Sequence, residues 1–472
     1  MSNRHPNNSS RLYQRVWRWH FYAGLMVMPF AIILALSGSV YLFKSQIEGY
    51  QQDSINQLAR VTSGTALSAD QLLAGLLAAY PEGQFKSYTL ATPGDVSVEI
   101  ELQLPGGPQI FWLNQFDGSI LFKQKESEQL LSFVKDIHGE LLAGNVGSYV
   151  VELMASWMIV LIISGWYLWW PQDPQLSWLA KWRARLLPAF RQQSARQRWR
   201  NLHGMLGSWL SVMVLILLLS GLPWTQLWGA GFDKVQTWLA MQGPGQEFRV
   251  TLQSSAPAEA AMHDEHRAHQ SHDDGIAVWQ RGREQSTTFL QSSASGTAKP
   301  PLSLQQVIEL QAHLAIVAPV LIYPPQPNNG VWTVRGMSQN RPLRQTVHFD
   351  QWAGDIIMHI RFSDYPLLKR LTSYGIALHE GALFGWLNQL LGVVTALGIV
   401  VLCVSGGLMW WRRRPPGKLA APKKTPNHRL SLGLSLIVLC LALFLPMVAL
   451  TLIVVAVLDW LAIRLLARSS PQ

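Results

Sequence analysis

The sequence predicts a mainly α-helical membrane protein built of duplicated helix–module–helix units, with two external α+β modules and a C-terminal helical hairpin. Three observations predict it. Residues 21–43, 148–170, 204–228 and 386–411 are each long and apolar enough to cross a bilayer, which takes about 20 residues. Two long polar segments between them carry helix and strand patterns. Histidines recur at matched places in the two halves. Of the 472 residues 49% are apolar, only 14% are charged and 21 are tryptophans, as suits a membrane protein with interfacial aromatics.

Charge orients the spans. Residues 1–19 carry four Arg and no acid, 172–200 carry seven Lys/Arg and one Asp, and 412–430 carry seven Lys/Arg and no acid. By the positive-inside rule these segments are cytoplasmic. The chain then reads in order as a cytoplasmic N-terminus and first span (1–43), an external module (44–137), a second span (138–171) and a basic loop (172–202). A third span (203–228), a second external module (229–378), a fourth span (379–411), a basic loop (412–430) and a membrane hairpin divided at Pro446 (431–467) follow. The first span is read as an uncleaved anchor. Glu152 is the only acid inside the four spans. The net charge of +10 is mostly inner-face charge, so contact with anionic membrane lipid explains it and nucleic-acid binding is not needed. A sharper reading of Lys181–Arg200 is docking of an acidic electron donor. The two cysteines, Cys403 and Cys440, lie in apolar runs, so no disulfide framework is expected in the external modules.

The duplication is specific. His20 lies 17 residues before Ser37-Gly38, and His203 lies 17 before Ser220-Gly221. His138 lies 26 residues before Ser164-Gly165, and His379 lies 26 before Ser405-Gly406. Gly24 and Gly207 each follow their histidine by four residues, and Gly144 and Gly385 by six. Both halves start and end on the same side, so the copies are parallel and matched residues face each other at one depth. In each external segment a helical pattern, Ser68–Tyr80 or Ser303–Leu314, precedes alternating runs. These are Ser87–Leu90, Val96–Leu102, Gln109–Leu113 and Ser119–Phe122 in the first, and Val320–Tyr323, Val331–Val334 and Arg344–Phe349 in the second.

The helix–meander segments resemble PepSY modules, and flanking spans with histidines and Ser-Gly steps resemble the PepSY-associated transmembrane family, over about residues 11–430. The resemblance implies a bacterial inner-membrane protein with its large modules in the periplasm. It also implies an activity, since members include reductases that release iron from ferric siderophores. Some relatives carry a fused flavoprotein domain; this chain shows no G-x-G-x-x-G after a strand.

Ionisable side chains at membrane depth are costly, and neutral imidazole is a strong iron ligand. His20 and His203, both just inside the cytoplasmic ends of outward-running helices, should clamp one haem b. His138 and His379, on the outer side, should clamp a second. Histidines at helix ends bonded to carbonyls or lipid are the competing reading. Gly24 and Gly207 either leave room for a flat macrocycle or serve close helix packing. The acceptor for the ring nitrogen turned away from iron is not identifiable from sequence. No Cys-x-x-Cys-His occurs, so haem would be held by ligation alone.

Other features read as ordinary. His263, His266, His269 and His272 lie in an inserted, Ser/Ala/Gly/Thr-rich loop (253–299), read first as a linker and second as weak capture of divalent metal. His313, His348 and His359 are read as surface or core histidines. Phe116, Trp112, Tyr323, Trp332 and Trp352 are read as module core, or otherwise a substrate platform. Trp169, Trp170, Trp410 and Trp411 are read as interfacial anchors.

The leading expectation is a di-haem b-type oxidoreductase that takes electrons from a cytoplasmic flavoprotein, ferredoxin or quinol to a periplasmic ferric siderophore. The alternatives are an electron-transfer subunit for another periplasmic reductase, and a haem-free scaffold or protease regulator.

Overall fold

The computed structural model describes residues 8–171, 173, 175–187, 194–239, 243, 252–254, 300–326, 330–415 and 432–468. The four histidines of the inserted loop, and most of the basic loop at 412–430, lie outside these residues. The chain divides into two units, one of residues 1–42, 134–234 and 389–472, the other of residues 43–133 and 235–388.

The chain order is α1 (Asn8–Tyr41), α2 (Lys44–Asn56), α3 (Ala69–Ala79), β1 (Gln84–Thr89), β2 (Ser97–Leu104), β3 (Gly107–Asn114) and β4 (Ile120–Lys125). Next come α4 (Leu130–Glu140), α5 (Gly144–Trp169), α6 (Trp178–Leu186), α7 (Ala195–Gly221), α8 (Leu227–Trp238) and α9 (Leu304–Ala312). The strands β5 (Val320–Tyr323), β6 (Val331–Gly336), β7 (Gln345–Asp350) and β8 (Ile356–Arg361) follow. The chain ends with α10 (Leu367–His379), α11 (Trp386–Arg413), α12 (Leu432–Phe444) and α13 (Pro446–Arg468).

In the first unit α1, α5, α7 and α11 are the helices long and apolar enough to cross a membrane. Small residues set their contacts. A Cβ on Gly392 would meet Leu42 of the chain just after α1 at 2.7 Å, and one on Gly407 would meet Met28 at 3.3 Å. Gly398 likewise admits Leu210 of α7. Glycine removes bulk where two helices close up, which is how helices associate without a hydrophobic driving force between them. Val27, Ala31 and Met154 form a buried knot between α1 and α5, with Ile399 and Cys403 of α11 against it. The sequence reading placed His138 and His379 inside the second and fourth spans. The spanning helices begin later, at Gly144 and Trp386, and His138 lies on the separate short helix α4. The break after α4 puts Leu141, Leu142 and Gly144 at positive φ, a conformation rare outside glycine.

Helices α12 and α13 turn by 118° about Leu445, which is fully buried. Pro446 opens α13, where its missing N–H removes nothing from the helix. Trp157 of α5 donates to Thr451 Oγ1 (3.2 Å), and Trp228 of α8 donates to the Phe444 carbonyl at the end of α12 (3.0 Å), which ties the bend to the bundle.

In the second unit the two expected modules merge. All eight strands form one antiparallel sheet in the order β4-β3-β2-β1-β5-β6-β7-β8. The seam is β1 on β5, with Tyr88 opposite Ile322 and Thr89 opposite Leu321. Pairing there covers two edges that separate modules would expose. The sequence reading found seven strands; β8 was missed. Its pattern, exposed and half-buried apart from Ile360, lacks clean alternation. Helices α3 and α9 cover one sheet face around Ile100, Leu102, Phe111, Ile322, Val334 and Val347. Each begins with a serine whose side chain caps the third residue, a glutamine that bonds back to the serine N–H. The two helices also cap each other: Asp70 of α3 accepts from Leu304 N (3.0 Å) and Gln305 N (3.3 Å), and Gln305 accepts from Ala69 N (3.0 Å). Asp70→Ala is expected to lower stability by about 1 kcal/mol, read as a shifted melting midpoint of the purified chain.

His348 is buried on β7 with Nδ1 3.0 Å from Thr333 Oγ1. Burial, reinforced by the nearby Arg335, pushes its imidazole from 6.5 down to about 4. Proton uptake is therefore harder in the folded chain than in the unfolded one. His348 leaves stability unchanged above about pH 6.5 and lowers it as pH falls towards 4. The loss reaches roughly 3 kcal/mol at 1.36 kcal/mol per unit. Melting curves across that window should be flatter for His348→Gln than for the parent.

Candidate functional site: histidines seated on serine–glycine steps

The expected histidines are placed by helices, and three of them share one local arrangement. His20 of α1 lies against α5, with Nδ1 2.9 Å from Ser164 Oγ. His138 of α4 lies against α1, with Nδ1 3.1 Å from Ser37 Oγ and 3.0 Å from the Leu34 carbonyl. His203 of α7 lies against α11, with Nδ1 3.0 Å from Ser405 Oγ and 3.2 Å from the Leu402 carbonyl. His379 closes α10 in the second unit.

The glycine after each serine makes the seat flat. A Cβ on Gly38 would stand 3.0 Å from His138 Cε1, one on Gly165 3.2 Å from His20 Cε1, and one on Gly406 3.5 Å from His203 Cε1. The first two are tighter than side chains normally tolerate, so a side chain there would push the ring off the helix. This is the use of the Ser-Gly pairs. The sequence showed their spacing but not their partner, because each serine meets a histidine on another helix.

The hydroxyls have fixed roles. Ser37 donates to the Ile33 and Leu34 carbonyls (2.9 and 3.2 Å), Ser164 to Val160 and Leu161 (2.7 and 3.2 Å), and Ser405 to Leu402 (2.9 Å). Ser220, in the remaining Ser-Gly pair, makes the same bond to Leu217 (3.0 Å). With its proton turned into its own helix, each seat serine offers a lone pair to the imidazole. The Leu34 and Leu402 carbonyls can only accept. At His138 and His203 Nδ1 is therefore the protonated nitrogen, and in the neutral ring the lone pair falls on Nε2.

Gly24 and Gly207 face the same paired helices as their histidines. A Cβ on Gly24 would meet Leu161 at 3.8 Å, and one on Gly207 would meet Leu402 at 3.8 Å, both ordinary contacts. Each leucine precedes a seat serine by three residues. The observed neighbour of these glycines is thus a packing leucine.

One sequence reading changes around α6. Trp169, read as an interfacial anchor with Trp170, donates from Nε1 to the Arg185 carbonyl (3.0 Å) and lies on Gly204, beside His203. Arg185, counted among the surface charges of the basic loop, is 1% exposed. Its guanidinium stacks on Trp166 (3.9 Å) and lies near Trp170 and Trp182, while Nε donates to Ser208 Oγ (3.1 Å). Aromatic faces offset the cost of burying that charge. Tryptophan identity is legible at an interface, whereas the guanidinium that gathers these rings comes from a separate helix. Trp411, by contrast, is exposed and stacks with Arg414.

In the second unit His348 and His359 bond Thr333 and Gln345, and His313 caps α9. Trp112 and Trp332 are buried, as core residues should be. No cluster of three or more metal-ligating side chains occurs among the described residues.

Four spanning-length helices, with imidazoles seated on Ser-Gly steps of neighbouring helices, define a helical membrane protein. A family model described as the PepSY-associated TM region matches residues 17–413, and the chain belongs to that family. No curated protein matches it.

Proposed function

We propose that this protein is an inner-membrane di-haem b-type oxidoreductase that reduces ferric siderophores on the periplasmic side. The observation that carries the reading is the matched seating of His20 and His203: each holds Nδ1 against the serine of a Ser-Gly step on a neighbouring helix, which makes Nε2 the nitrogen that would meet a metal. Metal-binding histidines are held in this way, with the second nitrogen donating to a fixed acceptor. A helix-end histidine acting only as a surface group would not need a glycine cleared beneath it on a neighbouring helix.

On this reading His20 and His203 hold one haem and His138 and His379 the other, each pair drawn from the two halves of a duplicated chain. Two such haems supply one-electron transfer between a reduced flavoprotein, ferredoxin or quinol inside and a ferric chelate outside, where Fe(II) is held more weakly by hard oxygen donors. The chain's own residues orient the imidazoles and exclude bulk from the helix faces that meet them. The basic segments, by the positive-inside rule, face the cytoplasm, and the sheet faces the periplasm.

Absorption spectra of detergent-purified protein, oxidised and dithionite-reduced, test the cofactor. Low-spin b-type bands and two haems per chain are expected, and a preparation without a Soret band overturns the reading in favour of a haem-free scaffold. Proteoliposomes with reductant inside should reduce an external ferric siderophore. Inactivity of the di-haem chain on such substrates would point instead to an electron-transfer subunit for another reductase.

A further inference from the structure

The two His–Ser contacts between the first pair of helices are reciprocal. Helix α1 gives His20 to the seat on α5 and offers its own seat, Ser37-Gly38, to His138, which precedes α5. Between α7 and α11, His203 sits on Ser405-Gly406 as His20 sits on Ser164-Gly165. Each seat lies within one half of the chain, although the proposed haem pairs join the two halves.

We infer that Ser37, Ser164 and Ser405 are positioning residues that set the tautomer, angle and donor strength of the haem-ligating histidines; this rests on the di-haem reading above. At His138 and His203 a backbone carbonyl, which can only accept, shares Nδ1 with the serine, so Nδ1 carries the proton and the serine oxygen accepts it; the matched seat of Ser164 assigns it the same role toward His20. An acceptor at Nδ1 raises the basicity of the imidazole, which favours the ferric state and lowers the potential of the haem it serves. The contacts assign the seats unequally. Ser164 on α5 and Ser405 on α11 serve one haem, through His20 and His203. Ser37 on α1 serves the other, through His138.

The test uses the full chain in detergent, with haem b retention measured by transfer to excess apomyoglobin and potentials by redox titration. Ser164→Ala and Ser405→Ala should weaken retention of one and the same haem by about 10–100-fold and raise its potential. Ser37→Ala should do this to the other haem only. Threonine keeps the hydroxyl, so Ser37→Thr should restore parental behaviour. It also separates loss of the acceptor from misfolding. Parent protein with two haems, and alanine variants with unchanged retention and potential, would overturn the positioning role alone. Parent protein without haem would overturn it together with the function proposed above. Variants in which Ser164→Ala and Ser37→Ala disturb the same haem would overturn the assignment of seats.

Discussion

On the di-haem reading, His20→Ala or His203→Ala is expected to remove one haem, and His138→Ala or His379→Ala the other. Each variant would then show half the parental Soret intensity per chain, measured by pyridine haemochromogen assay. With one of the two imidazoles that would hold it removed, a haem would be retained through a single side chain. The first pair is supported by the matched seats of His20 and His203, Ser164-Gly165 and Ser405-Gly406. Electron transfer across the membrane should fall to background in all four variants, because both sites are in series. Retention of two haems by every single variant would refute the ligand assignment. Loss of both haems from His20→Ala alone, with the other three losing one, would refute the pairing.

Glu152→Ala is expected to destabilise the membrane unit by roughly 2–6 kcal/mol, at about 1–3 kcal/mol for each buried donor left without an acceptor. Glu152 lies on α5 with no exposed surface, and its carboxylate accepts from Leu227 N (2.9 Å) and Trp228 N (3.0 Å) at the start of α8. Thr225 and Gln226 add to the same carboxylate. The acid that stood out as the only one within the four spans is therefore a helix cap. Glu152→Gln keeps one acceptor oxygen and should recover about half of the loss. Thermal unfolding in detergent, followed by Trp fluorescence, reads both variants. Haem content of Glu152→Gln should stay parental, since its contacts involve α8 and none of the four histidines. A melting midpoint unchanged in Glu152→Ala would show that α8 is held by other contacts.

Much of the fold is legible in the chain because its signals are local. Apolar length marks the four spanning helices, and Ser-x-x-Gln before an apolar run marks the starts of α3 and α9. Pro446 marks the division between α12 and α13. The single sheet is not legible. Whether β1 and β5 pair or stay as separate edges depends on two strands more than 200 residues apart, and either choice satisfies the same alternation. Strand β8 is hidden by its weak pattern, and Arg185 by its membership of a run of basic residues that otherwise reads as surface.

At the site the division is sharper. The sequence by itself determined which residues recur: four histidines, four Ser-Gly pairs and the glycines near them, at equal spacings in two halves. It also determined that His20 and Ser37 lie at opposite ends of one apolar helix, about 25 Å apart at 1.5 Å per residue. It did not determine that His20 belongs to Ser164 or His138 to Ser37. Helical periodicity assigns each residue a face and a depth but never a neighbour. Antiparallel packing of α1 on α5 decided it, since the start of one helix then meets the end of the other. Only in that packing does the proton of Nδ1 find its acceptor, and the spacing of histidines becomes a set of oriented imidazoles.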